Sequence, residues 1–281
     1  MSHTASDIAA ELGVAPEFDA QTEIERRVDF LSDYLTQTGA RGYVLGISGG
    51  VDSTTAGRLA QLAVQACRSR GLDVTFTAVR LPYGEQRDEA DAQRALDFIQ
   101  PDRTVTIDIK PATDGMAQAL ETPFASLSAE REDFVRGNIK ARQRMIAQYA
   151  LAGADNALVI GTDHAAEALM GFFTKFGDGA ADVVPLSGLT KRRVRAVAQA
   201  LGAPDSLVQK VPTADLESLS PQKADEDAFG LTYETIDDFL EGKAITPADQ
   251  DIILSTYHRS AHKRALPVAP AAPECGSKAR P

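Results

Sequence analysis

Small residues and hydroxyls follow a short apolar run near position 45. Residues 46–54 read Gly-Ile-Ser-Gly-Gly-Val-Asp-Ser-Thr, directly after the apolar residues 43–45. A helix rich in Ala and Leu is predicted next, over residues 55–70. Glycines allow backbone N–H groups to close on an anion, and a helix N-terminus adds partial positive charge. The Gly-Lys-Ser/Thr ending of a Walker A loop is absent from this sequence, so the segment predicts a phosphate-binding loop of another kind.

Short apolar segments alternate with amphipathic ones through the first 160 residues. The periodicity predicts strands over 43–47, 74–79, 105–109 and 157–160. It predicts helices over 23–38, 55–70, 87–99 and 129–151. Strands separated by helices of this length are typical of parallel crossover units. The predicted fold class is therefore α/β, with a doubly wound, mostly parallel sheet and flanking helices.

Three polar clusters begin directly after predicted strands, at Ser48, Arg80 and Thr162. In open α/β sheets, ligands bind at the carboxyl ends of the strands. Because parallel strands bring these ends to one edge of the sheet, we expect the three clusters to form a single site.

The pattern changes after Pro185. A basic helix is predicted over 190–201, and two further helices over 233–240 and 247–263. Residues 212–227, rich in Ser, Pro, Asp and Glu, predict a mobile loop. We expect residues 1–266 to form a single domain with a helical C-terminal elaboration, and the Pro- and Ala-rich residues 267–281 to form a flexible tail.

Composition limits the classes of function. Hydrophobic residues make up 43% of the 281 residues, and the formal net charge is −11. The acidic balance argues against a nucleic-acid partner, which favours a basic surplus, although it leaves room for a local basic site. Cys67 and Cys275 are too far apart in sequence to suggest a metal or redox pair. Neither a signal peptide nor a membrane-spanning apolar run is recognisable, so a cytoplasmic protein without a membrane partner is expected.

The string Ser-Gly-Gly-Val-Asp-Ser resembles the pyrophosphate loop of ATP pyrophosphatases, which cleave ATP between its α and β phosphates. Further motifs follow in order, and together they resemble the ammonia-dependent NAD synthetases from about residue 23 to residue 264. The motifs are LGISGG (45–50), RLPYG (80–84), GNIKAR (137–142), GTDHAAE (161–167), FFTKFGD (172–178), PLSGLTK (185–191), PTADL (212–216) and HKR (262–264). The glutamine-dependent relatives carry a large amidase domain ahead of the loop. Only 45 residues precede Gly46 here, so the resemblance implies free ammonia as the nitrogen source.

The resemblance implies an adenine nucleotide alpha hydrolase-like fold and a two-step reaction. The carboxylate of deamido-NAD attacks the α-phosphate of ATP and releases pyrophosphate, and ammonia then displaces AMP to leave NAD. No protein nucleophile is needed. The implied ATP-binding residues are Gly46, Ile47, Ser48, Gly49, Gly50, Val51, Asp52, Ser53, Arg80, Gln86, Thr162, Lys191 and Thr213. The implied deamido-NAD-binding residues are Arg142, Lys175, Asp182, His262 and Lys263.

The family also uses Mg²⁺, for which Asp52 and Glu167 are the implied ligands. Asp178 is a candidate site for the incoming ammonium. The implied assembly is a homodimer formed through the helix at 129–151, with the dinucleotide at the interface, so that Arg142 serves the neighbouring subunit. The loops around Gly84 and over 216–229 are expected to close over ATP.

Simpler structural explanations exist for the same residues. The loop at 46–54 is compatible with an ordinary capped helix start, and Glu167 with a carboxylate in the first turn of a helix. Lys191 and Arg142 lie among other cations, as on solvated helix faces, and Asp178 lies in a Gly-Asp-Gly turn. His164 is assigned no catalytic role.

Two other functions compete with the resemblance. One is another ATP-pyrophosphatase ligase, such as a GMP synthetase core or a tRNA-modifying enzyme. The other is a regulatory module that binds ATP without chemistry. The products of a reaction with ATP, Mg²⁺, ammonium and deamido-NAD distinguish these functions.

Overall fold

A sheet of four parallel strands forms the centre of the structure, a computed structural model that describes residues 4–84, 89–214, 216–219 and 223–270. The strands are β1 (Gly42–Gly46), β2 (Thr75–Arg80), β3 (Arg103–Thr106) and β4 (Leu158–Val159), in the order β3-β2-β1-β4. All three pairings are parallel, with Gly42 opposite Thr75 and Tyr43 opposite Leu158. A parallel bridge between Ile160 and Val183 extends the β4 edge. The predicted α/β class is confirmed.

Helices connect the strands and continue after them. Their bounds are α1 (Ala5–Glu11), α2 (Ala20–Thr38), α3 (Val51–Ser69), α4 (Glu89–Ile99), α5 (Lys110–Ala119), α6 (Glu121–Phe124), α7 (Ala129–Asp155), α8 (Ala165–Met170), α9 (Lys191–Ala200), α10 (Asp205–Val208), α11 (Asp225–Phe229), α12 (Tyr233–Leu240), α13 (Pro247–Arg259) and α14 (Ala261–Arg264). A two-stranded antiparallel ribbon joins β5 (Thr213–Ala214) to β6 (Lys223–Ala224). No helix in the described ranges is long and apolar enough to cross a membrane.

Both faces of the sheet are covered by buried apolar residues, because successive side chains of a strand point to opposite faces. Tyr43 and Leu45 pack in one cluster with α2, α3 and α9. Val44, between them, packs on the other face in a cluster that includes Ala152 of α7. A third cluster lies among α1, α8, α12 and α13 and includes Ile8 and Tyr257. The N-terminal helix α1 and the C-terminal helices therefore share a core with α8 beside the sheet.

Helix ends follow ordinary capping chemistry. Asp19 caps the N-terminus of α2 through its carboxylate, and Ser128 caps α7 through its hydroxyl. Both helices end at a residue in the left-handed conformation, Gly39 at φ +67° and Asn156 at φ +52°. These signals explain why the starts of α2 and α7 lie within a few residues of their predicted positions.

Several predicted bounds were wrong. The helix expected from residue 55 begins at Val51, so residues 51–54 form its first turn rather than a loop. The helix expected over 247–263 is two helices, which meet at Ser260. The loop expected over 212–227 contains the β5–β6 ribbon and the start of α11. Helices α5 and α8 were not predicted. The single-domain division stays a prediction, and residues 271–281 of the expected tail lie outside the described ranges.

Candidate active site

The loop after β1 leads directly into the N-terminus of α3. Gly50 is the N-cap residue, and because glycine has no side chain the helix start has no side-chain capping hydrogen bond. Gly49 has φ +84°, and a Cβ there would lie 2.7 Å from the backbone nitrogen of Ala92, so only glycine fits. The Ser48 hydroxyl accepts from the Gly50 N–H at 3.2 Å and lies 3.2 Å from the Ser53 hydroxyl. Two hydroxyls and a helix N-terminus without a side-chain cap therefore share one cradle suited to an anion.

The start of this loop is held from both sides. The Gly46 N–H donates to Oε1 of Gln148 on α7 at 2.7 Å. The Ile47 N–H donates to the Val79 carbonyl of the neighbouring strand at 2.8 Å. A Cβ on Gly46 would approach Gln148 to 3.3 Å. The loop is thus positioned by β2 and by a side chain about a hundred residues further along the chain.

Two carboxylates, a lysine and a histidine meet beside the cradle. Lys191 at the start of α9 donates from Nζ to both carboxylate oxygens of Asp52, at 2.8 and 3.0 Å. His164 Nε2 lies 3.5 Å from Asp52 Oδ1 and 3.5 Å from Glu167 Oε1. Lys191 and His164 are almost fully buried. One ligand atom each from Asp52, His164 and Glu167 lies within 4.8 Å of the others.

Burial and mutual charge govern protonation in this cluster. Burial and the charge of Asp52 raise the pKa of Glu167 well above its usual value. Burial works against the ionised form of Asp52, but the Lys191 ammonium lowers the pKa of Asp52 overall. Burial also outweighs the charge of Asp52 at His164 and lowers its pKa to about 3, so the imidazole is neutral at pH 7.

The residues fit a bound Mg²⁺. Mg²⁺ prefers oxygen ligands, which Asp52 and Glu167 supply. Two close carboxylates share a single ammonium, and a bound dication would favour the ionised form of Glu167, whose pKa is raised by burial and by the charge of Asp52. The ring of His164 already takes part in local contacts, since its Nδ1 accepts from the Glu167 N–H. Asp52 and Glu167 are therefore the ligands that the donor chemistry favours.

Residues of helix α12 contact both the backbone and the ammonium group of Lys191. The carboxylate of Asp237, which is 1% exposed, accepts from the backbone N–H groups of Lys191 and Arg192 at 3.0 and 2.7 Å. One turn earlier, the ring of Tyr233 lies 4.8 Å from the Lys191 ammonium. The Tyr233 hydroxyl donates to Asp225 at 3.0 Å. The C-terminal part of the chain thus fixes both the backbone and the head group of this lysine.

The anion cradle, Asp52, Glu167 and Lys191 line one cleft of about 450 Å³ at the carboxyl end of the sheet. Most residues predicted from the sequence come together there. The predicted residues that line it are Gly46, Ile47, Ser48, Gly50, Val51, Asp52, Ser53, Thr162, Glu167, Asp178, Lys191, Thr213 and Lys263. The three clusters that follow strands therefore converge on one edge of the sheet, although Arg80 itself contacts a different partner.

Arg80 and Asp182 make structural contacts. The Arg80 guanidinium is 3% exposed and donates through two nitrogens to the Glu89 carboxylate at 2.8 and 2.7 Å. Asp182 accepts from the Val159 N–H at 2.7 Å and so extends the edge of β4. Gln86 lies outside the described residues. The ligand-binding roles of Arg80, Gln86 and Asp182 stay predictions.

A second group of predicted residues lies at the surface. Arg142 is exposed and donates to the Lys175 carbonyl at 3.2 Å. Lys175 in turn donates to the carbonyl groups of His262 and Ala265. Lys263 points toward the cleft, where it donates to the carbonyls of Gly171 and Phe173 at 2.9 and 2.7 Å. Arg142, Lys175 and His262 therefore form a connected surface cluster beside the cleft.

Sequence reasoning missed the supporting residues. His164 was noted without a role, although it touches both candidate metal ligands. Gln148, Asp225 and Tyr233 carried no recognisable signal, because each acts on a partner that folding alone brings near. Asp178 is exposed at the cleft and accepts from the Thr174 N–H at 2.9 Å, so turn chemistry accounts for its contact, and its role as an ammonium site stays a prediction.

The fold and this site define an α/β nucleotide-binding protein of the adenine nucleotide alpha hydrolase-like class, with its anion cradle beside a candidate divalent metal site. Residues 23–267 match the family model described as NAD synthase. The chain belongs to the NAD synthase family. The family predicted from the motifs is thereby confirmed.

Individual relatives agree with the family match. The chain is 65% identical over 265 residues to the NH(3)-dependent NAD(+) synthetase of Streptomyces coelicolor, covering 94% of this chain and 96% of the relative. The crystal structure of NAD+ synthetase from Burkholderia pseudomallei is similar with a TM-score of 0.81 and 61% identity, covering 92% and 95% of the two chains. An NMN synthetase structure from Francisella tularensis is similar with a TM-score of 0.76 and 37% identity, covering 90% and 99%.

Proposed function

We propose that this chain catalyses the ATP-dependent amidation of deamido-NAD by ammonia. A carboxylate oxygen of deamido-NAD attacks the α-phosphorus of ATP, and the bond to the bridging oxygen breaks, which releases pyrophosphate. Ammonia then attacks the carbonyl carbon of the adenylate, and AMP leaves as NAD forms. The observation that carries the proposal is the meeting of the uncapped α3 N-terminus with Asp52, Glu167 and Lys191 in one cleft, in a chain 65% identical to an ammonia-dependent synthetase.

Catalysis in this proposal rests on positioning and electrostatics. The α3 N-terminus and the hydroxyls of Ser48 and Ser53 donate to the leaving pyrophosphate. Lys191 supplies a positive charge whose position is set by α12. Thr162 and Thr213 line the same cleft and complete the donors to ATP. Each of these groups stabilises negative charge that develops on phosphate oxygens.

Asp52 and Glu167 would hold the Mg²⁺, which neutralises charge on the ATP phosphates when bound. Lys191 contacts Asp52 directly. With Mg²⁺ held by these carboxylates, Asp52 would bind the lysine less tightly, and the Lys191 ammonium would be available to contact phosphate. Asp178, at the cleft and opposite Lys263, would hold the ammonium before it loses a proton and attacks.

The reaction products test this function. Purified protein with ATP, Mg²⁺, ammonium and deamido-NAD is expected to form NAD, AMP and pyrophosphate in equal amounts. ADP and inorganic phosphate as products would refute the adenylation step. ATP binding without any pyrophosphate would support the regulatory module instead.

The similarity to an NMN synthetase makes a smaller substrate the specific alternative. The acid that corresponds to NMN carries the same carboxylate without the adenylate half. Because the more similar relatives are NAD synthetases at 61–65% identity, we propose the dinucleotide. Comparing kcat/KM for the two acids decides between them, and a higher value for the mononucleotide would overturn this choice.

We further propose a homodimer in which Arg142 contributes to the deamido-NAD site of the neighbouring subunit. The other residues proposed to bind deamido-NAD are Lys175, Asp182, His262 and Lys263. The exposed apolar side chains Phe134 and Ile146 on α7, 46% and 51% exposed, support an interface along that helix. A cytoplasmic location, where ATP is abundant, belongs to the same proposal.

Subunit mixing tests the shared site. Asp52→Ala and Arg142→Ala are each expected to be inactive as homodimers. If Arg142 serves the neighbour, a refolded equal mixture regains about a quarter of wild-type activity, because half of the dimers are mixed and each has one complete site. No recovery, in a mixture shown to be dimeric, would place Arg142 in its own subunit's site.

A further inference from the structure

Four residues of α7 lie along one side of the helix and face two separate chain segments. They are Asp133, Gly137, Lys140 and Arg144, and their spacing of four, three and four residues places them on one stripe. Lys140 belongs to the motif at 137–142, yet it is only 6% exposed. A lysine buried to this degree needs partners for its charge.

The first segment, residues 216–219, is fastened to this stripe. Asp133 accepts from the N–H groups of Ser218 and Leu219 at 2.9 and 2.8 Å. The Lys140 ammonium donates to the Leu216 carbonyl at 2.8 Å and to the Ser218 hydroxyl at 2.9 Å. Both ends of the segment are thereby bound through charged side chains.

Gly137 permits this close approach. A Cβ at that position would lie 3.1 Å from the Leu216 side chain and 3.3 Å from its backbone. The absence of a side chain lets the segment pack directly on the helix between Asp133 and Lys140. Leu216 can then line the active-site cleft.

The second segment, residues 81–84, is held by the same stripe. The Lys140 ammonium lies 4.5 Å from the centre of the Tyr83 ring, a cation–π distance. Arg144 donates from Nε to the Leu81 carbonyl at 3.1 Å. Leu81 lines the active-site cleft together with Leu216.

Lys140 therefore contacts both segments, and it lies between the active-site cleft and a second cavity. Leu81 and Leu216 face the active-site cleft. Tyr83 and Ser218 face a second cavity of about 260 Å³, which Lys140 also lines. If either segment moved away from the cleft, it would lose its contact with the Lys140 ammonium, which also contacts the other segment.

We propose that Lys140 is a positioning residue that links residues 81–84 to residues 216–219, so that the two segments hold the ATP side of the cleft as one unit. The link itself rests on the contacts above. Its effect on ATP rests on the proposed function. Asp133, Gly137 and Arg144 fasten the two segments to the same helix and so support the link.

Amide hydrogen exchange tests the link without any catalysis. Ser218→Ala removes one acceptor of Lys140 in the first segment, and Tyr83→Leu removes the ring in the second. The amide of Gly84, which donates to Asp108 at 3.0 Å, reports on residues 81–84. The amides of Ser218 and Leu219 report on residues 216–219. We expect each substitution to speed exchange in the segment that it does not alter, by about threefold or more.

Lys140→Met removes both contacts and is expected to speed exchange in both segments by about tenfold. Lys140→Arg keeps a cation and is expected to restore most of the protection. Arg41→Met is the control, because it removes an exposed ion pair with Asp73 ahead of β1. Effects confined to the altered segment in both Ser218→Ala and Tyr83→Leu would overturn the link, even if Lys140→Met does not fold.

Steady-state kinetics test whether the link affects ATP binding. We expect Lys140→Met to raise the KM for ATP about tenfold with a smaller change in the KM for ammonium, and Lys140→Arg to recover most of that loss. An unchanged KM for ATP in Lys140→Met would refute the effect on the ATP side. Wild-type protein that forms no AMP would refute the proposed function and leave the exchange experiment valid.

Discussion

The cluster of Asp52, Glu167 and Lys191 allows a stability prediction in which the two halves of one ion pair are not equivalent. In Asp52→Asn, the Lys191 ammonium loses its direct partner but stays within the field of the Glu167 carboxylate. In Lys191→Met, the buried Asp52 carboxylate loses its cation and is left beside Glu167, whose pKa is already raised by burial and by the charge of Asp52. We therefore expect Lys191→Met to lower the free energy of unfolding more than Asp52→Asn does.

The magnitudes follow from burial. Lys191 is 1% exposed, and the Asp52 side chain is 19% exposed. Removing one partner of a buried pair costs about 3–5 kcal/mol when the other charge is left unpaired. We expect about 3 kcal/mol for Lys191→Met, and about 1–2 kcal/mol for Asp52→Asn because Glu167 remains. The double variant is expected to lose less than the sum of the two single losses.

Mg²⁺ makes the prediction sharper. In Lys191→Met, a dication can replace the missing ammonium without competition, so its binding stabilises the fold more than in the wild type. A metal at ten times its Kd adds about 1.4 kcal/mol to the free energy of unfolding. In Asp52→Asn one ligand is gone, and the gain is expected to be smallest.

Urea unfolding measures these differences. It is applied to the wild type, Lys191→Met, Asp52→Asn and the double variant, each with and without Mg²⁺ and without nucleotide. The exposed pair of Arg41 and Asp73 provides the matched control, and Arg41→Met is expected to change stability by less than about 1 kcal/mol. The reasoning is refuted if Asp52→Asn is the more damaging change. It is also refuted if Mg²⁺ stabilises all the variants equally.

Two further outcomes are expected. Gly49→Ala should lower the free energy of unfolding by about 3 kcal/mol or more and weaken ATP binding, because it combines a left-handed φ with a contact of 2.7 Å. The control Gly71→Ala, at φ +88° with open space, should lower it by only about 1 kcal/mol in the same urea assay. Equal losses in the two variants would contradict the role of the contact. Burial raises the pKa of Asp237 to about 6 despite two backbone hydrogen bonds, so this group favours folding fully below its unfolded pKa of about 3.9 and progressively less as pH rises through 6. Asp237→Asn should remove that decline in the free energy of unfolding between pH 4 and 6, which amounts to about 3 kcal/mol at most. The exposed control Asp73→Asn should keep the wild-type dependence on pH. The same dependence in Asp237→Asn would count against the prediction.

Local signals explain what the sequence predicted well. Strands β1 and β2 follow from short apolar runs, and the starts of α2 and α7 from capping residues. The phosphate loop follows from glycines and hydroxyls in one short string. The resemblance carried by eight ordered motifs predicted the family, which the match over residues 23–267 confirms.

Short elements and long-range contacts explain what was missed. Helix α8 has 6 residues, too few for a helical period to be recognised. Residues 51–54 contain Ser and Thr, which favour caps and turns, yet they form the first turn of α3 because Gly50 takes the N-cap position. Lys140 is close in sequence to Arg142 and Arg144, a pattern typical of a solvated helix face. Its partner Leu216 lies 76 residues away, so its burial left no local trace.

The sequence by itself determined the kind of chemistry, because an anion cradle needs only a glycine-rich turn and a helix start that are adjacent in the chain. The tertiary structure decided how the charges act. Asp52 and Lys191 are 139 positions apart, and their contact depends on α3, α9 and α12 packing at one end of the sheet. Protonation follows burial and neighbouring charge, which are properties of that packing and are not written in any local segment.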